Sequence, residues 1–338
     1  MRRTSALLIS SALLLAGCSG GRSADSGAHA TGHRPLPVPT VSVSRQAVPA
    51  DVTTDRVLPA VAGTFGRKAT ITIPKSEPSG KFVVNTVLRG HGRKAGTDDI
   101  VIVNYTAKTW KHGTELPGTY GNGGSPRAFP VGRGAVIPAL DRAVQGQRAG
   151  SRILVVAPPA AAYGTTGNVR SGVSGTDTVV FVVDVVKVLG ARSTVPGKQG
   201  AAPRTLPRVS AGGSTVLIAV PDAAAPKSPV SRTLIAGTGP QVERGQTVVL
   251  RRAGAVWASN RGDERATLFD SSWSQGAAPV VIGRGNLIEG LDDAVIGAKV
   301  GSRMLLVIRP EQAYGAQPRK GIPAGSTLVY VVDILAAV

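Results

Sequence analysis

Side chains that commonly catalyse reactions or bind metals are few in this sequence, and their spacing does not match a catalytic or metal-binding arrangement. The 338 residues contain four histidines and one cysteine. All four histidines precede residue 113, and no two are spaced like the ligands of a metal site: His29, His33, His91 and His112. The sequence also has no recognisable Ser-His-Asp or Cys-His arrangement. We therefore expect no metal, no cofactor and no covalent intermediate.

The single cysteine follows an apolar segment at the N-terminus. Arg2 and Arg3 supply positive charge, residues 6–16 are apolar, and the segment ends in Leu-Ala-Gly-Cys at Cys18. It is too short for a mature membrane span and resembles a bacterial lipoprotein signal, in which the cysteine is acylated after cleavage. A plain secretory signal is the alternative, and the two arginines leave twin-arginine export open. We expect a signal peptide over 1–17 and an extracytoplasmic protein anchored to the cell membrane through Cys18.

The chain is strongly basic, with 39 Lys and Arg against 20 Asp and Glu and a formal net charge of +19. Such a charge governs solubility and association with anionic partners rather than the fold. For an exported protein those partners are anionic cell-wall polymer or lipid head groups. The sequence has no arginine-rich run, zinc-finger spacing or aromatic-basic RNA motif, so we expect no nucleic-acid partner.

Two stretches have a composition typical of connecting segments. Residues 18–62 are rich in Gly, Ser, Pro, Thr and Ala, and residues 190–213 in Gly, Pro, Ser and Arg. Such stretches bury too little apolar surface to offset the entropy lost on ordering. The composition predicts a flexible tether over 18–62 and an interdomain linker over 190–213.

The segments on either side of that linker repeat each other. Four motifs recur in the same order: Gly90-x-Gly92 as Gly237-x-Gly239, Gly132-Arg133-Gly134 as Gly283-Arg284-Gly285, Ala162-Tyr163-Gly164 as Ala313-Tyr314-Gly315, and Phe181-Val182-Val183-Asp184 as Tyr330-Val331-Val332-Asp333. The offset between the copies is 147 residues at the first motif, 151 at the next two and 149 at the last. Collinear matches with small changes of offset indicate a duplicated domain with loops of different length.

Each copy has the pattern of a small α+β domain. Alternating β-branched residues predict four strands in each copy: 82–88, 100–110, 152–157 and 178–189 in the first, and 231–235, 247–258, 303–308 and 327–335 in the second. Helical spacing of apolar residues predicts one short helix in each copy, at 137–145 and 288–296. We expect an antiparallel sheet with one helix packed on it, over 63–189 and 214–338.

An ordered series of motifs then resembles a known family. The second copy reads FDSS from Phe269, IGRGNLIEGL from Ile282, AYG from Ala313, GIP from Gly321 and TLVYVVD from Thr327. The first copy contains most of the same series in the same order, so the likeness covers roughly the last three quarters of the chain. The series resembles the FKBP-type peptidyl-prolyl isomerase domain from end to end. The resemblance implies two domains in which a curved antiparallel β-sheet wraps around one short α-helix.

The activity implied by the resemblance is rotation about X–Pro bonds. A proline ring enters an apolar pocket between sheet and helix, and the planar amide must twist against a barrier of ~18–20 kcal/mol. The twisted amide has a less polar carbonyl than the planar one. A dry apolar pocket therefore destabilises the planar form more, without a nucleophile, metal or cofactor.

Eight residues of the second copy fall at pocket positions implied by the resemblance: Phe269, Asp270, Leu287, Ile288, Leu291, Tyr314, Ile322 and Tyr330. Asp270 would orient the site, the Ile288 backbone N–H would face the substrate carbonyl, and the Tyr314 hydroxyl would donate to the substrate. The others would form apolar walls and the floor. For each apolar residue, ordinary core packing is the alternative interpretation.

The first copy retains a weaker set of substrate-binding candidates: Tyr105, Val136, Ile137, Leu140, Tyr163 and Phe181. Both copies depart from the family at the pocket floor, which is usually Trp and here is Leu140 or Leu291. The family's Phe-Asp falls near Leu116-Pro117, so the first copy lacks the carboxylate. The family's early-strand tyrosine is Arg252 in the second copy, where a guanidinium would either pair with Asp270 or disrupt the apolar wall.

Three functions follow as expectations. The first is a peptidyl-prolyl cis-trans isomerase that assists the folding of exported, proline-containing polypeptides, with most activity in the second copy. The second is a catalytically weak, chaperone-like lipoprotein that holds unfolded chains, the function we expect of the first copy. The third is a surface protein held to anionic wall polymer by charge, which rests on the net charge alone.

Overall fold

A computed structural model describes residues 47–121 and 123–338 of the chain. The signal peptide expected over 1–17, the anchor expected at Cys18 and most of the expected tether lie outside these residues. No helix in the described residues has the length and apolar character needed to cross a bilayer.

The first copy is built on one curved, mostly antiparallel sheet. Its strands in chain order are β1 (Asp51–Val52), β4 (Phe82–Leu88), β5 (Ile100–Thr109), β6 (Glu115–Leu116), β7 (Arg127–Pro130), β8 (Arg152–Ala157) and β9 (Val179–Leu189), with the hairpin β2 (Ala60–Ala62) and β3 (Thr70–Thr72) separate from it. The spatial order is β1-β4-β8-β9-β5-β6, and β7 also pairs with β5. Only the β1–β4 pair is parallel. The helix α1 (Pro138–Val144) follows β7.

The second copy repeats this arrangement. Its hairpin is β10 (Arg208–Gly212) and β11 (Thr215–Ala219), and its sheet strands are β12 (Val230–Ile235), β13 (Thr247–Val256), β14 (Leu268–Ser271), β15 (Ala278–Val281), β16 (Arg303–Ile308) and β17 (Leu328–Ala337). The spatial order is β12-β16-β17-β13-β14, with β15 also on β13. The helix α2 (Glu289–Val295) precedes β16. The predicted α+β class, all eight predicted strands and both predicted helices are confirmed, most bounds agreeing within two residues.

The inner face of each sheet packs against its helix. Leu140, Ala143 and Val144 of α1 join one buried apolar cluster with β4, β5, β8 and β9. In the second copy, Leu291 and Val295 of α2 occupy the same place against β13, β16 and β17. The helical spacing that predicted these positions thus corresponds to the face that each helix buries.

The outer face of each sheet is covered by the hairpin that precedes it. Ile71 of β3 packs on Val83, Leu154 and Val182 of the first sheet. Ile218 of β11 packs in the same way on the second sheet, together with the buried indoles of Trp257 and Trp273. The duplicated unit therefore includes the hairpin.

This arrangement differs from the predicted tether and linker. Residues 51–52 and 60–62 of the expected tether and 208–212 of the expected linker are strands. Composition alone does not predict these strands, because a hairpin needs few apolar residues to pack on a sheet. Its strands alternate, so only one face of the hairpin is apolar and buried.

A buried ion pair fastens each hairpin to its sheet. The Arg303 guanidinium donates two hydrogen bonds to Asp333, at 2.6 and 2.8 Å, and a third to the carbonyl of Ala211 at 2.9 Å. Arg152 and Asp184 form the matching pair in the first copy. The segments before each domain are thus tied to its core by charge-assisted hydrogen bonds.

The two copies pack directly on each other. Ile100 and Ile102 of β5 form one buried cluster with Val249 of β13 and Leu335 of β17. Val195, which lies in the expected linker, is buried in the same cluster. The contact is apolar and includes the segment that joins the copies.

Candidate functional site

The second copy places two aromatic rings at the wall of its pocket. Phe269 of β14 and Tyr330 of β17 meet edge to face, with centroids 5.7 Å apart and planes at 85°. Between them on β13 lies Gly254, where a Cβ atom would stand 2.7 Å from Tyr330 Cζ and 2.8 Å from Phe269 Cζ. The missing side chain of Gly254 is what allows both rings to approach the strand.

The carboxylate of Asp270 lies beside these rings and is held by an arginine. Arg252 donates from Nε to Asp270 Oδ2 at 2.6 Å, and both side chains are a little over a quarter exposed. The Tyr330 hydroxyl donates to the same oxygen over a longer 3.5 Å. Burial, followed by the nearby Asp270 charge, raises the pKa of Tyr330 well above its usual range. Of the two outcomes expected for Arg252, the structure shows the ion pair.

The residues before and on α2 form the pocket's opposite side. Leu291 is buried, whereas Leu287 and Ile288 are half-buried against the same cluster. Ile288 is the N-cap of the helix, and its carbonyl accepts from the amides of Leu291 and Asp292 at 2.9 and 3.1 Å. No acceptor for the Ile288 amide is found in the described part of the chain. That N–H remains available for a ligand carbonyl.

A loop between β16 and β17 completes the rim. Tyr314 is half-buried, with the Arg319 guanidinium 5.8 Å from its ring centroid. Ile322 is buried and exchanges two backbone hydrogen bonds of 2.9 Å with Arg319. Gly321 adopts a φ of +77°, which favours glycine and turns the loop toward Phe269.

All eight residues expected in the second site are therefore brought together. Seven of them belong to one core cluster or pack against it: Phe269, Leu287, Ile288, Leu291, Tyr314, Ile322 and Tyr330. Asp270 joins them through Arg252 and Tyr330. The floor and back wall are buried, while the rim is half-exposed.

The corresponding site in the first copy is closed. Tyr105 and Phe181 also meet edge to face, with centroids 6.1 Å apart. All six candidates are buried in the core, none more than 8% exposed: Tyr105, Val136, Ile137, Leu140, Tyr163 and Phe181. Burial raises the pKa of the Tyr163 hydroxyl, with a further contribution from Tyr105. The structure thus gathers the expected residues here too, but leaves no half-exposed rim among them.

Matching hydrogen bonds to the backbone of Tyr105 and Arg252 show which residues of the two sites correspond. Thr119 and Tyr105 exchange the same two hydrogen bonds as Ser272 and Arg252, at 2.8 to 3.0 Å. This aligns Leu116 with Phe269 and Pro117 with Asp270. Leu116 is buried in the first core, so an aliphatic side chain replaces the aromatic wall.

Sequence reasoning missed the role of Arg127 in the first site. This arginine of β7 is buried, and its side chain donates a hydrogen bond to the Tyr105 hydroxyl, opposing the rise in the pKa of Tyr105 that burial causes. The matching position in the second copy is Ala278 of β15. Each copy thus places an arginine beside its aromatic pair, Arg127 in the first and Arg252 in the second. A comparison of these positions in the repeat is the signal that finds Arg127.

The second site combines apolar walls with a few hydrogen-bonding groups. No cluster of three His, Cys, Asp or Glu side chains able to hold a metal occurs among residues 47–121 and 123–338. The pocket offers buried apolar walls, one free backbone donor and one tyrosine hydroxyl at its rim. Such a site favours a less polar, twisted amide over a planar one, because the planar form loses more hydration on entering it.

Comparison with known proteins places both copies in one protein family. The profile of the FKBP-type peptidyl-prolyl cis-trans isomerase family matches residues 91–186 and 239–335. FK506-binding protein 1B of Neurospora crassa is 42% identical over 101 residues, which are 30% of this chain and 89% of that protein. The FK506-binding protein of Streptomyces anulatus is 31% identical over 121 residues, or 97% of its length.

One further relative and one solved structure align with more of the chain. The isomerase FKBP9 of Rattus norvegicus is 25% identical over 206 residues, 61% of this chain but only 29% of that longer protein. Among solved structures, the three FKBP domains of wheat FKBP73 align with 77% of this chain and 96% of theirs, at 22% identity and a TM-score of 0.32.

Proposed function

The chain belongs to the FKBP-type peptidyl-prolyl cis-trans isomerases, with two domains of that family in tandem, and we propose that its second domain carries most of the X–Pro isomerase activity. In this proposal the first domain binds polypeptide weakly or serves as a structural partner. The chain as a whole then assists the folding of proline-containing polypeptides.

The contrast in exposure between the two sites carries this proposal. In the second domain Phe269, Leu287, Ile288 and Tyr314 are half-buried around a buried floor, so an incoming side chain can reach them. In the first domain every corresponding candidate is buried, and Leu116 and Arg127 fill the positions next to Tyr105. A proline ring cannot enter a site that its own side chains already occupy.

The second site would act by holding the proline between Tyr330, Phe269 and Leu291. The Ile288 N–H and the Tyr314 hydroxyl would hydrogen-bond the flanking backbone, which positions the ring. The Arg252–Asp270 pair would hold the carboxylate beside the rings. Rotation then requires only that the twisted amide fits the dry pocket better than the planar one.

The alternative is a catalytically weak peptide-binding domain. Leu291 in place of the family's aromatic floor favours it, because an aliphatic floor contacts a flat proline ring less completely than an indole does. This alternative predicts binding of unfolded chains without faster X–Pro rotation.

The location we propose is the outer face of the cell membrane, with Cys18 as the lipid anchor. Polypeptides leaving the cell unfolded are then the clients, since uncatalysed X–Pro isomerisation takes tens to hundreds of seconds. The net charge of +19 supports a further contact with anionic cell-wall polymer, which must weaken as salt rises.

Exchange NMR on a Xaa-Pro peptide tests the function. Catalytic amounts of the full chain should accelerate cis–trans exchange, and Phe269→Leu, which introduces the residue type of Leu116, should slow it. Leu116→Ile, a conservative change in the closed site, is the control and should leave the rate unchanged. Suppression of aggregation of an unfolded client without any acceleration of exchange would overturn the isomerase in favour of the binding alternative.

A further inference from the structure

A polar cleft lies directly beside the second site. Its volume is about 540 Å³, and both copies and the segment between them contribute to its lining. The first domain supplies Asp98 and Arg133, the joining segment supplies Arg192, and the second domain supplies Arg252 and Asp270. Because Asp270 also contacts Tyr330 of the candidate site, the cleft adjoins that site on the side of the first domain.

The joining segment is fixed where it crosses this cleft. The Ala191 amide donates to Asp99 Oδ1 of the first domain at 3.0 Å, and its carbonyl accepts from the Ala277 amide of the second at 3.4 Å. The Arg192 carbonyl accepts from the fully buried guanidinium of Arg251 at 3.1 Å. The backbone under the Arg192 side chain is thus held by both domains.

The charges around Arg192 leave one cation without a partner. Asp98 pairs with Arg133, Asp99 with Arg93 at 3.2 Å, and Asp270 with Arg252 at 2.6 Å. These carboxylates are the acidic groups that line the cleft and the groove adjoining it, and each is bound to another arginine. In the described part of the chain no carboxylate pairs with the exposed Arg192 guanidinium. The cleft and the groove therefore contain four arginines and three carboxylates. The surplus positive charge is that of Arg192, whose backbone is held in place by both domains.

We propose that this cleft binds the polypeptide flanking the proline and that Arg192 selects an acidic residue there. A side-chain carboxylate is the group that satisfies an unpaired guanidinium with matched hydrogen-bond geometry. The adjoining hydroxyls of the half-buried Ser271 and the exposed Ser274 offer partners to a passing backbone. The joining segment, which the first domain holds in place through Asp99, thereby contributes to substrate selection. The inference rests on the proposed function for the identity of its substrate.

The test uses a set of fluorescent peptides in which one Glu, Gln or Lys is moved stepwise along both sides of a single proline. Affinity for the full chain is measured by anisotropy, and cis–trans exchange is measured by NMR on the same peptides. At one position Glu should bind about two- to fivefold more tightly than Gln, the range for an exposed ion pair. Arg192→Gln should remove this preference, and Arg192→Glu should transfer it to Lys.

The matched control is Arg265→Gln, which removes an exposed arginine of the second domain that does not line the cleft. It should keep the preference for Glu. The proposal is overturned if no position favours Glu, or if the preference survives in Arg192→Gln. If Arg192→Gln loses the preference for Glu but the full chain accelerates exchange in none of the peptides, the proposed role of the cleft is supported and the proposed isomerase activity is refuted.

Discussion

Arg252 donates a hydrogen bond of 2.6 Å to Asp270, joining neighbouring strands β13 and β14 at the mouth of the second pocket. The arginine occupies the strand position that holds Tyr105 in the first domain. It therefore replaces a neutral wall with a charge, and it also compensates the carboxylate that the second domain alone retains. The pair gives that site a fixed dipole beside Tyr330.

Removal of the carboxylate should weaken catalysis. In Asp270→Asn the Arg252 guanidinium and the Tyr330 hydroxyl keep only a neutral acceptor in place of the carboxylate, so the walls are less firmly positioned. We expect kcat/KM for a Xaa-Pro peptide to fall about tenfold, since a hydrogen bond to a charged group contributes roughly 1.5–3 kcal/mol. Asp263→Asn, an exposed carboxylate of the same domain, is the control. Unchanged kcat/KM in Asp270→Asn would remove Asp270 from the site.

A methyl group at Gly254 should separate the two aromatic walls. The added Cβ in Gly254→Ala would stand within 2.8 Å of both Phe269 and Tyr330, so at least one ring must move. We expect a loss of about 1–3 kcal/mol in the free energy of unfolding, typical of overpacking, and a larger proportional loss of isomerisation. Urea unfolding and exchange NMR measure the two effects.

The matching position in the first domain provides the comparison. Ala107 lies opposite Phe181 as Gly254 lies opposite Tyr330. Ala107→Gly should leave isomerisation unchanged, because that site is closed. A parental rate in Gly254→Ala would show that the ring pair has no role in turnover.

The buried ion pairs should dominate the stability of each hairpin. Arg303→Met leaves the Asp333 carboxylate buried without its partner and frees the Ala211 carbonyl, so we expect a loss of about 3–5 kcal/mol in the free energy of unfolding. Arg208→Met breaks the exposed pair with Glu264 and should cost about 1 kcal/mol or less. Hydrogen exchange should also show earlier opening of β10 and β11 in Arg303→Met. Equal losses in the two variants would contradict this assignment.

Alkaline pH should destabilise the protein through its buried tyrosines. Burial raises the pKa values of Tyr105, Tyr163 and Tyr330 in the folded chain, whereas in the unfolded chain they ionise near pH 10. The folded state then retains protons that the unfolded state releases, so the free energy of unfolding falls as pH rises above about 10. In Tyr163→Phe the free energy of unfolding should fall less steeply with pH. The prediction is refuted if the tyrosinate absorbance rises to its full value before the protein unfolds.

Most of the fold could be predicted from the sequence because the pattern is local. Apolar runs with β-branched residues over 82–88 and 303–308 predict strands, and helical spacing at Leu140 and Leu291 identifies the face that each helix buries. The repeat gives each assignment a second time. The hairpins were missed because their apolar residues are few and acquire meaning only against a sheet. The burial of Arg251 was not predicted for a similar reason, because the carbonyl groups that accept its hydrogen bonds come from three separate segments.

The candidate site was predictable as a set of residues but not as an open or closed pocket. Val136 and Ile137 resemble Leu287 and Ile288 closely in type, yet the first pair is buried and the second half-exposed. In the first domain the buried cluster around this pair also contains Leu116, and Arg127 is buried beside Tyr105; both come from elsewhere in the chain. Exposure depends on such tertiary contacts, which a motif does not encode.

One matched pair of hydroxyl deletions tests the central claim, that X–Pro rotation takes place in the second pocket. Tyr314 and Tyr163 are the same residue of the two repeats, half-exposed in one and buried in the other. Exchange NMR on a Xaa-Pro peptide with the full chain should show a rate reduced about two- to tenfold in Tyr314→Phe, the range for one hydrogen bond. Tyr163→Phe should match the parent. Equal reductions in both variants, or a reduction in Tyr163→Phe alone, would contradict the account.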